Sequence, residues 1–313
     1  MIQKDWDDLL ERIADRECTA FLGAGVNDGL IPLGGEIAQG WATEHSYPLN
    51  TSSELDQVSQ FIAVTNDPMK PKQLIQDLMN KSNRLSLSDP RLECLKTLAE
   101  LPLPVYITTN YDELMKRALE RTDLGKKPIS EYCRWHKALP KLDNDFYQRY
   151  EPDKNNPLVF HLHGIHNILE SIVLTEDDYL DFIVNLSLDG KILPPCVLIA
   201  LARPSLLFIG YSLRDISYRL IHRGFSGLVD TSRRARSVTV QLEPPPHPEG
   251  RFDDAKKYMG DYFQLMNISV YWGTASAFAK ELKDRWNMFS LSDNVLHTHS
   301  LTPELCTRPF GNP

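Results

Sequence analysis

Thr19-Ala20-Phe21-Leu22 runs directly into Gly23-Ala24-Gly25, and this stretch decides the reading of the fold. A short uncharged run ending in glycines reads as a buried strand that stops at a tight turn. Similar runs recur along the chain. Val105-Tyr106-Ile107-Thr108-Thr109 follows Pro104 and leads into Asn110-Tyr111-Asp112. Residues 158–162 stop at His163-Gly164, and Ser205-Leu206-Leu207-Phe208-Ile209 ends in Gly210-Tyr211-Ser212-Leu213-Arg214-Asp215. Residues 237–242 precede a triple proline, and residues 268–272 form the last run.

Helical periodicity fills the spaces between. Trp6, Leu9, Leu10 and Ile13 mark a helix over residues 4–16. Residues 175–188 begin with Thr175 and Asp178 at capping-box spacing, with Asp in the Glu position. Phe278, Leu282, Trp286 and Phe289 line one face of a closing helix over 275–289. Continuous apolar strands alternating with helices predict an α/β fold: a Rossmann-like parallel sheet with helices on both faces.

Two segments interrupt that alternation. Residues 35–101 are helical in pattern and read as a helical subdomain inserted after the first strand. Residues 123–156 are polar and irregular and read as a surface insertion. The expectation is one domain over residues 1–290 and a loose tail over 291–313.

The 313 residues are 42% hydrophobic and 24% charged, which excludes a disordered, collagenous or disulfide-scaffold chain. A net charge of −8 argues against non-specific binding to nucleic acid or anionic membrane. Five widely spaced cysteines indicate neither a zinc ribbon nor a disulfide framework and fit a reducing, cytoplasmic compartment. The start of the chain is polar and acidic and lacks a signal-peptide hydrophobic region. The longest apolar stretch, 192–213, holds Pro194, Pro195, Arg203 and Pro204, so it reads as a short helix, a break and a strand rather than a membrane span.

In a parallel sheet, ligands bind beyond the carboxyl ends of the strands. Each strand end here carries polar or glycine residues with two readings. Gly23, Ala24 and Gly25 are a tight turn, or let the backbone approach a pyrophosphate with free N–H groups facing it; Asp28 breaks a G-x-G-x-x-G pattern. Asp112 caps a helix starting at Glu113, or stands with Asn110 and Thr109 at a crevice mouth. His161 and His163 share a strand face. His161 reads as a core histidine, and His163 as a general base projecting into the crevice. A metal site with His166 lacks a completing cysteine or carboxylate cluster. Ser212 caps a helix, or bonds a phosphate or ribose. Glu243 is a solvated loop residue, or takes the hydroxyls of an adenosine ribose. The basic run over 232–236 reads as a solvated patch. No G-x-S-x-G elbow supports a serine hydrolase.

The order of these blocks resembles the sirtuin superfamily over about residues 17–275. Gly23-Ala24-Gly25 is followed by Pro32, Thr108-Thr109-Asn110-Tyr111-Asp112, His163-Gly164 and Gly210-Tyr211-Ser212-Leu213. The resemblance implies that Gly23, Ala24, Gly25, Thr109, Gly210, Ser212, Leu213 and Glu243 bind NAD. It implies that Asn110 and His163 are the catalytic pair, with Asp112 orienting the nicotinamide end. Two features depart from the protein-deacylating members: the four zinc-ribbon cysteines are absent, and Pro32-Leu33-Gly34-Gly35-Glu36 replaces a Pro-x-Phe-Arg stretch. The chain is more similar to the sirtuin-like effectors of bacterial antiphage systems. That branch implies metal-independent hydrolysis of NAD+ to nicotinamide and ADP-ribose. It also implies a homo-oligomer, and control by a sensor partner such as an ATPase or an Argonaute-like protein. The competing readings are a catalytically silent NAD- or ADP-ribose-binding assembly module, and a zinc-independent deacylase or ADP-ribosyltransferase.

Overall fold

The computed structural model describes the chain except residues 83, 122, 143–146, 148, 189–191, 212–235, 245–251 and 300–313. Helix α1 (Gln3–Ala14) leads into β1 (Cys18–Leu22) and a 3₁₀ turn over Ala24–Asn27. Helices α2 (Gly34–Glu44), α3 (Leu55–Thr65), α4 (Lys70–Ser82) and α5 (Glu93–Glu100) follow before β2 (Val105–Thr108) and α6 (Leu114–Leu119). Then come β3 (Ile129–Tyr132), β4 (Leu158–His161), α7 (Glu176–Leu188), α8 (Pro195–Leu201) and β5 (Ser205–Ile209). The chain continues through β6 (Ser237–Gln241), α9 (Phe252–Leu265), β7 (Ile268–Trp272) and α10 (Ala275–His299).

The seven strands form one sheet in the order β3-β4-β2-β1-β5-β6-β7, and every neighbouring pair is parallel. The period-two alternation of strand side chains splits the core into two layers. Ala20, Leu22, Tyr106, Val159, Leu207 and Ile209 pack on one face with α1, α5, α6 and α10. Phe21, Ile107, Phe160, Leu206 and Phe208 pack on the other with Phe182 of α7, Val197 of α8 and Phe263 of α9. The inserted helices add a small core of their own, with Ala38, Val58 and Ile62 at its centre.

Two expectations change. The 123–156 segment is not wholly irregular, because Ile129–Tyr132 forms the edge strand β3 against β4. Its four residues are all only partly buried, so it lacks the apolar signature of the central strands. The closing helix also runs past 289 to His299.

Candidate functional site

The order of the strands places the site. From β1 the sheet grows toward β2 in one direction and toward β5 in the other, so the crevice opens where β1 and β5 part. Leu22 and Ile209 are paired at that point, and the glycines follow both. Gly210 has φ +82°, a conformation in which a side chain is strained. A β-carbon there would lie 2.4 Å from the Val26 nitrogen. The loops are joined by hydrogen bonds from Gly23 N–H to Ile209 O (2.9 Å) and from Gly25 N–H to Gly210 O (3.0 Å). The expected anion cradle is therefore corrected in one respect. These two N–H groups bind the neighbouring strand's backbone and do not face outward, because the two loops approach too closely to leave them open.

Tyr211 and Thr109 bolt the same point. The Tyr211 hydroxyl donates to Leu22 O (2.9 Å) and lies 2.9 Å from Thr109 Oγ1. Thr109 N–H also donates to Leu22 O. Asn110 reaches back to the end of β1, its Nδ2 donating to Gly23 O at 3.2 Å. Ser212 and Leu213 lie outside the described residues.

Asp112 is the helix cap, and its second oxygen is engaged as well. Its Oδ1 accepts the N–H of Leu114 at the start of α6 (2.9 Å), as a cap does. Its Oδ2 accepts from Asn27 Nδ2 (2.8 Å). The carboxyl is buried, and loss of water raises its pKa to about 6 against the lowering effect of these hydrogen bonds. Asn27 carried no sequence signal beyond being polar two residues after Gly25. Its Oδ1 is buried with no hydrogen-bond partner among the described residues.

β4 ends at His161, so strand alternation does not govern His163, and His163, expected to project into the crevice, is instead buried at 3% exposure. His161 is wholly buried, with Nδ1 3.0 Å from Asn110 O and Nε2 3.1 Å from Ser130 Oγ. Nδ1 of His166 is 3.0 Å from Tyr111 O. Both nitrogens of His161 and one of His166 are thus committed, and no metal-binding group of His, Cys, Asp or Glu occurs among the described residues. His163 stands two residues past His161, as Asn110 does past Thr108, and Thr108 and His161 are register partners. Asn110 and His163 therefore follow neighbouring strand ends. Gly164, at φ +88°, turns the chain so tightly that a β-carbon would meet Ser171 O at 2.0 Å.

The His163 ring lies edge-on to Tyr179 and Phe182 of α7, with centroids 5.4 and 5.2 Å away. Nε2 is buried with no hydrogen-bond partner among the described residues. Desolvation lowers the pKa of the ring to about 3, so the imidazole is neutral at physiological pH. Sequence reading missed this aromatic cover. It comes from α7, which Thr175 and Asp178 start through reciprocal bonds between Thr175 Oγ1 and Asp178 N–H and between Asp178 Oδ2 and Thr175 N–H.

Glu243 follows β6, exposed and paired with Lys256 at 2.6 Å. Arg236, the end of the basic run, pairs with Asp5 at 3.2 Å, and the rest of the run lies outside the described residues. A surface cavity of about 520 Å³ beside α3, α4 and α7, lined by Gln60, Lys72, Asp177 and Asp178 among others, includes none of the crevice residues.

Residues 104–270 match the family model of the SIR2-like domain. The chain is 26% identical over 215 residues to the NAD(+) hydrolase ThsA of Cytobacillus dafuensis, covering 66% of this chain and 38% of that protein. It is 25% identical to the ThsA of Bacillus cereus strain MSX-D12, covering 66% and 40%, and 22% identical to that of Acinetobacter baumannii, covering 67% and 39%. The chain thus spans about two fifths of the length of these curated relatives. Among solved structures, a Sir2 homologue mutant with 2'-O-acetyl ADP ribose aligns with TM-score 0.48 at 15% identity, covering 97% of this chain and all of that one. A Sir2 homologue–NAD complex aligns with TM-score 0.45 at 17% identity, covering 90% and 94%.

Proposed function

The chain belongs to the SIR2-like domain family, and from that premise we propose that it is an NAD+ glycohydrolase releasing nicotinamide and ADP-ribose. The observation that carries the reading is the placing of Asn110 and His163 just past the paired ends of β2 and β4, with the His163 Nε2 buried and without a hydrogen-bond partner among the described residues. The names of the ThsA relatives support it.

The residues fit the substrate. The glycines let the ends of β1 and β5 meet closely at the floor of the crevice, and the proposed pyrophosphate position lies beyond them. Breaking the ribose–nicotinamide bond develops positive charge on the ribose, so the site must hold the sugar and direct one water. His163 Nε2 takes the hydrogen of a ribose hydroxyl or of that water. Asn110 places the hydroxyl or water, and Asp112 accepts from the nicotinamide carboxamide. Glu243, at the end of β6, is the proposed adenosine-ribose contact, and Ser212 and Leu213 complete the proposed NAD set.

The proposed role is defence by NAD+ depletion. An ungated hydrolase would exhaust its own cell, so activity depends on assembly with further copies or on a sensor protein in the cytoplasm. The cover that α7 places over His163 supports such gating. Chromatography of NAD+ incubated with the purified protein tests the reading, alone and in lysate from phage-challenged cells. Nicotinamide and ADP-ribose should form with the wild type and not with Asn110→Ala or His163→Ala. NAD+ intact in every condition, with binding retained, would instead identify a silent binding module. Nicotinamide release that requires a peptide or protein acceptor would identify a transferase.

A further inference from the structure

We infer that His161 is a positioning residue: its imidazole holds the Asn110 backbone in place for the reaction, and Ser130 of the edge strand β3 sets the tautomer in which it does so. The inference rests on the NAD+ reading above, in which Asn110 places the attacking water or ribose hydroxyl, and adds two residues to it.

The need for a holder follows from where the sheet stops. The last ladder bond between β2 and β4 runs from Leu162 N–H to Thr108 O at 2.7 Å. The next donor along, Gly164 N–H, turns back to His161 O at 3.3 Å. Asn110 O thus lies just beyond the ladder, where β4 no longer supplies it a backbone donor. Side chains take over. Thr108 Oγ1 accepts the Asn110 N–H at 3.0 Å, and His161 Nδ1 stands 3.0 Å from Asn110 O. The Asn110 side chain is held as well, through Nδ2 on Gly23 O. A carbonyl oxygen only accepts, so the amide nitrogen faces Gly23, and Oδ1 is the atom left to take a hydrogen from water or hydroxyl.

The same logic fixes the histidine. Asn110 O only accepts, so His161 Nδ1 carries a hydrogen. The ring is wholly buried, and loss of water takes its pKa down to about 4 against the raising effects of Asn110 O and Glu113; His166 and Lys116 lower it further. It is therefore neutral at pH 7 and has one hydrogen in all. Nε2 is then a bare acceptor, and Ser130 Oγ, 3.1 Å away, donates to it. Filling space alone would call for an apolar ring, such as Phe160 and Phe208 supply elsewhere in the sheet. Here both ring nitrogens are matched, and the two bonds join β3, β4 and the residue that follows β2.

The test measures kcat and KM for NAD+, with ADP-ribose affinity as the reference for an intact site. His161→Phe keeps a ring and loses both hydrogen bonds. Its kcat should fall at least about tenfold, with KM and ADP-ribose affinity within about twofold of wild type. His161→Asn carries an N–H at nearly the reach of Nδ1 and should restore kcat to within about threefold. Ser130→Ala should lower kcat about threefold in the wild-type background and have no effect in His161→Asn, which lacks the far nitrogen. That cycle serves if His161→Phe does not fold. An unchanged kcat in His161→Phe would overturn the inference. So would equal losses in kcat and ADP-ribose binding without rescue by Asn, which is the pattern of a merely structural role, or additive effects of the Ser130 and His161 changes. Nitrogen NMR of histidine-labelled protein reads the hydrogen bond without turnover: the signal missing from His161→Asn should show the Nδ1–H tautomer at pH 7, and an Nε2–H tautomer would overturn the inference. A wild type that cleaves no NAD+ in any condition would remove the NAD+ reading, a result distinct from the tautomer.

Discussion

Gly23 and Gly210 meet backbone to backbone, so that a β-carbon on Gly23 would stand 2.6 Å from the Gly210 carbonyl oxygen. The contact joins the ends of β1 and β5, the two strands between which the crevice opens. Gly210→Ala adds the penalty of a side chain at positive φ to a clash with the Val26 backbone. It should cost about 3 kcal/mol or more, read from urea denaturation. Gly260 in α9 is the contrast, since a β-carbon there meets nothing within 4 Å. Gly260→Ala should stabilise by about 0.5–1 kcal/mol. Similar stabilities for the two variants would contradict the close packing of the loops.

Asp112 should be held at a cost to the fold. Its pKa rises on folding from an ordinary value near 3.8 to about 6. The folded chain binds this proton more tightly than the unfolded chain, so the contribution to stability falls as pH rises through about 4 to 6. Asp112→Asn keeps an acceptor for Leu114 N–H and carries no charge. Relative to wild type, it should be more stable by about 2 kcal/mol at pH 7.5 and by much less at pH 4.5, while NAD+ turnover is lost. A variant less stable than wild type at pH 7.5 would show that the hydrogen bonds outweigh the burial of the charge.

The central strands were legible because each is an uncharged run buried on both faces, as in Ala20-Phe21-Leu22 and Leu207-Phe208-Ile209. The edge strand β3 was not, because Ile129-Ser130-Glu131-Tyr132 is half-exposed and carries a charge. The strand ends were readable from the polar and glycine residues that interrupt apolar runs, and the candidate site residues follow those ends. Their partners were not. Asn27 meets Asp112 across 85 positions, and Tyr179 and Phe182 cover His163 from a helix whose apolar residues look like ordinary core. Such pairings are products of the topology, and no local pattern encodes them.

The helical insertion is tied to the cover of His163. Lys72 of α4, 6% exposed, donates to Asp178 Oδ1 at 2.8 Å, and Asp178 Oδ2 also accepts from Leu174 and Thr175 N–H. Gln60 of α3 binds Asp177 through both its amide atoms. Asp178→Ala removes the start of α7 and strands a buried ammonium, so it should cost about 3 kcal/mol or more. Lys72→Met leaves Asp178 its two backbone donors and should cost about 1 kcal/mol, while amide exchange across residues 176–188 speeds up. Thermal melting and hydrogen exchange read the two effects. Unchanged exchange in Lys72→Met would show that α7 is held by its apolar face alone.

His163 gives the sharpest pH test. Burial takes its pKa down to about 3, and that of His161 to about 4. A histidine with a depressed folded pKa binds its proton more readily when unfolded. Its neutral burial is fully compatible with the fold above about pH 6.5 and increasingly unfavourable as pH falls toward the folded value. Phe at position 163 fits the same aromatic surroundings of Tyr179 and Phe182 and does not titrate. Comparing His163→Phe with wild type at each pH cancels the opposite contribution of Asp112. Between pH 6.5 and 4.5 the variant should gain about 2–3 kcal/mol relative to wild type, measured by urea denaturation. At pH 7.5 it should lose NAD+ cleavage by at least about a hundredfold while still binding ADP-ribose. Parallel acid unfolding of the two proteins would mean that the ring is hydrated in solution. Retained cleavage would remove His163 as the group that takes the proton.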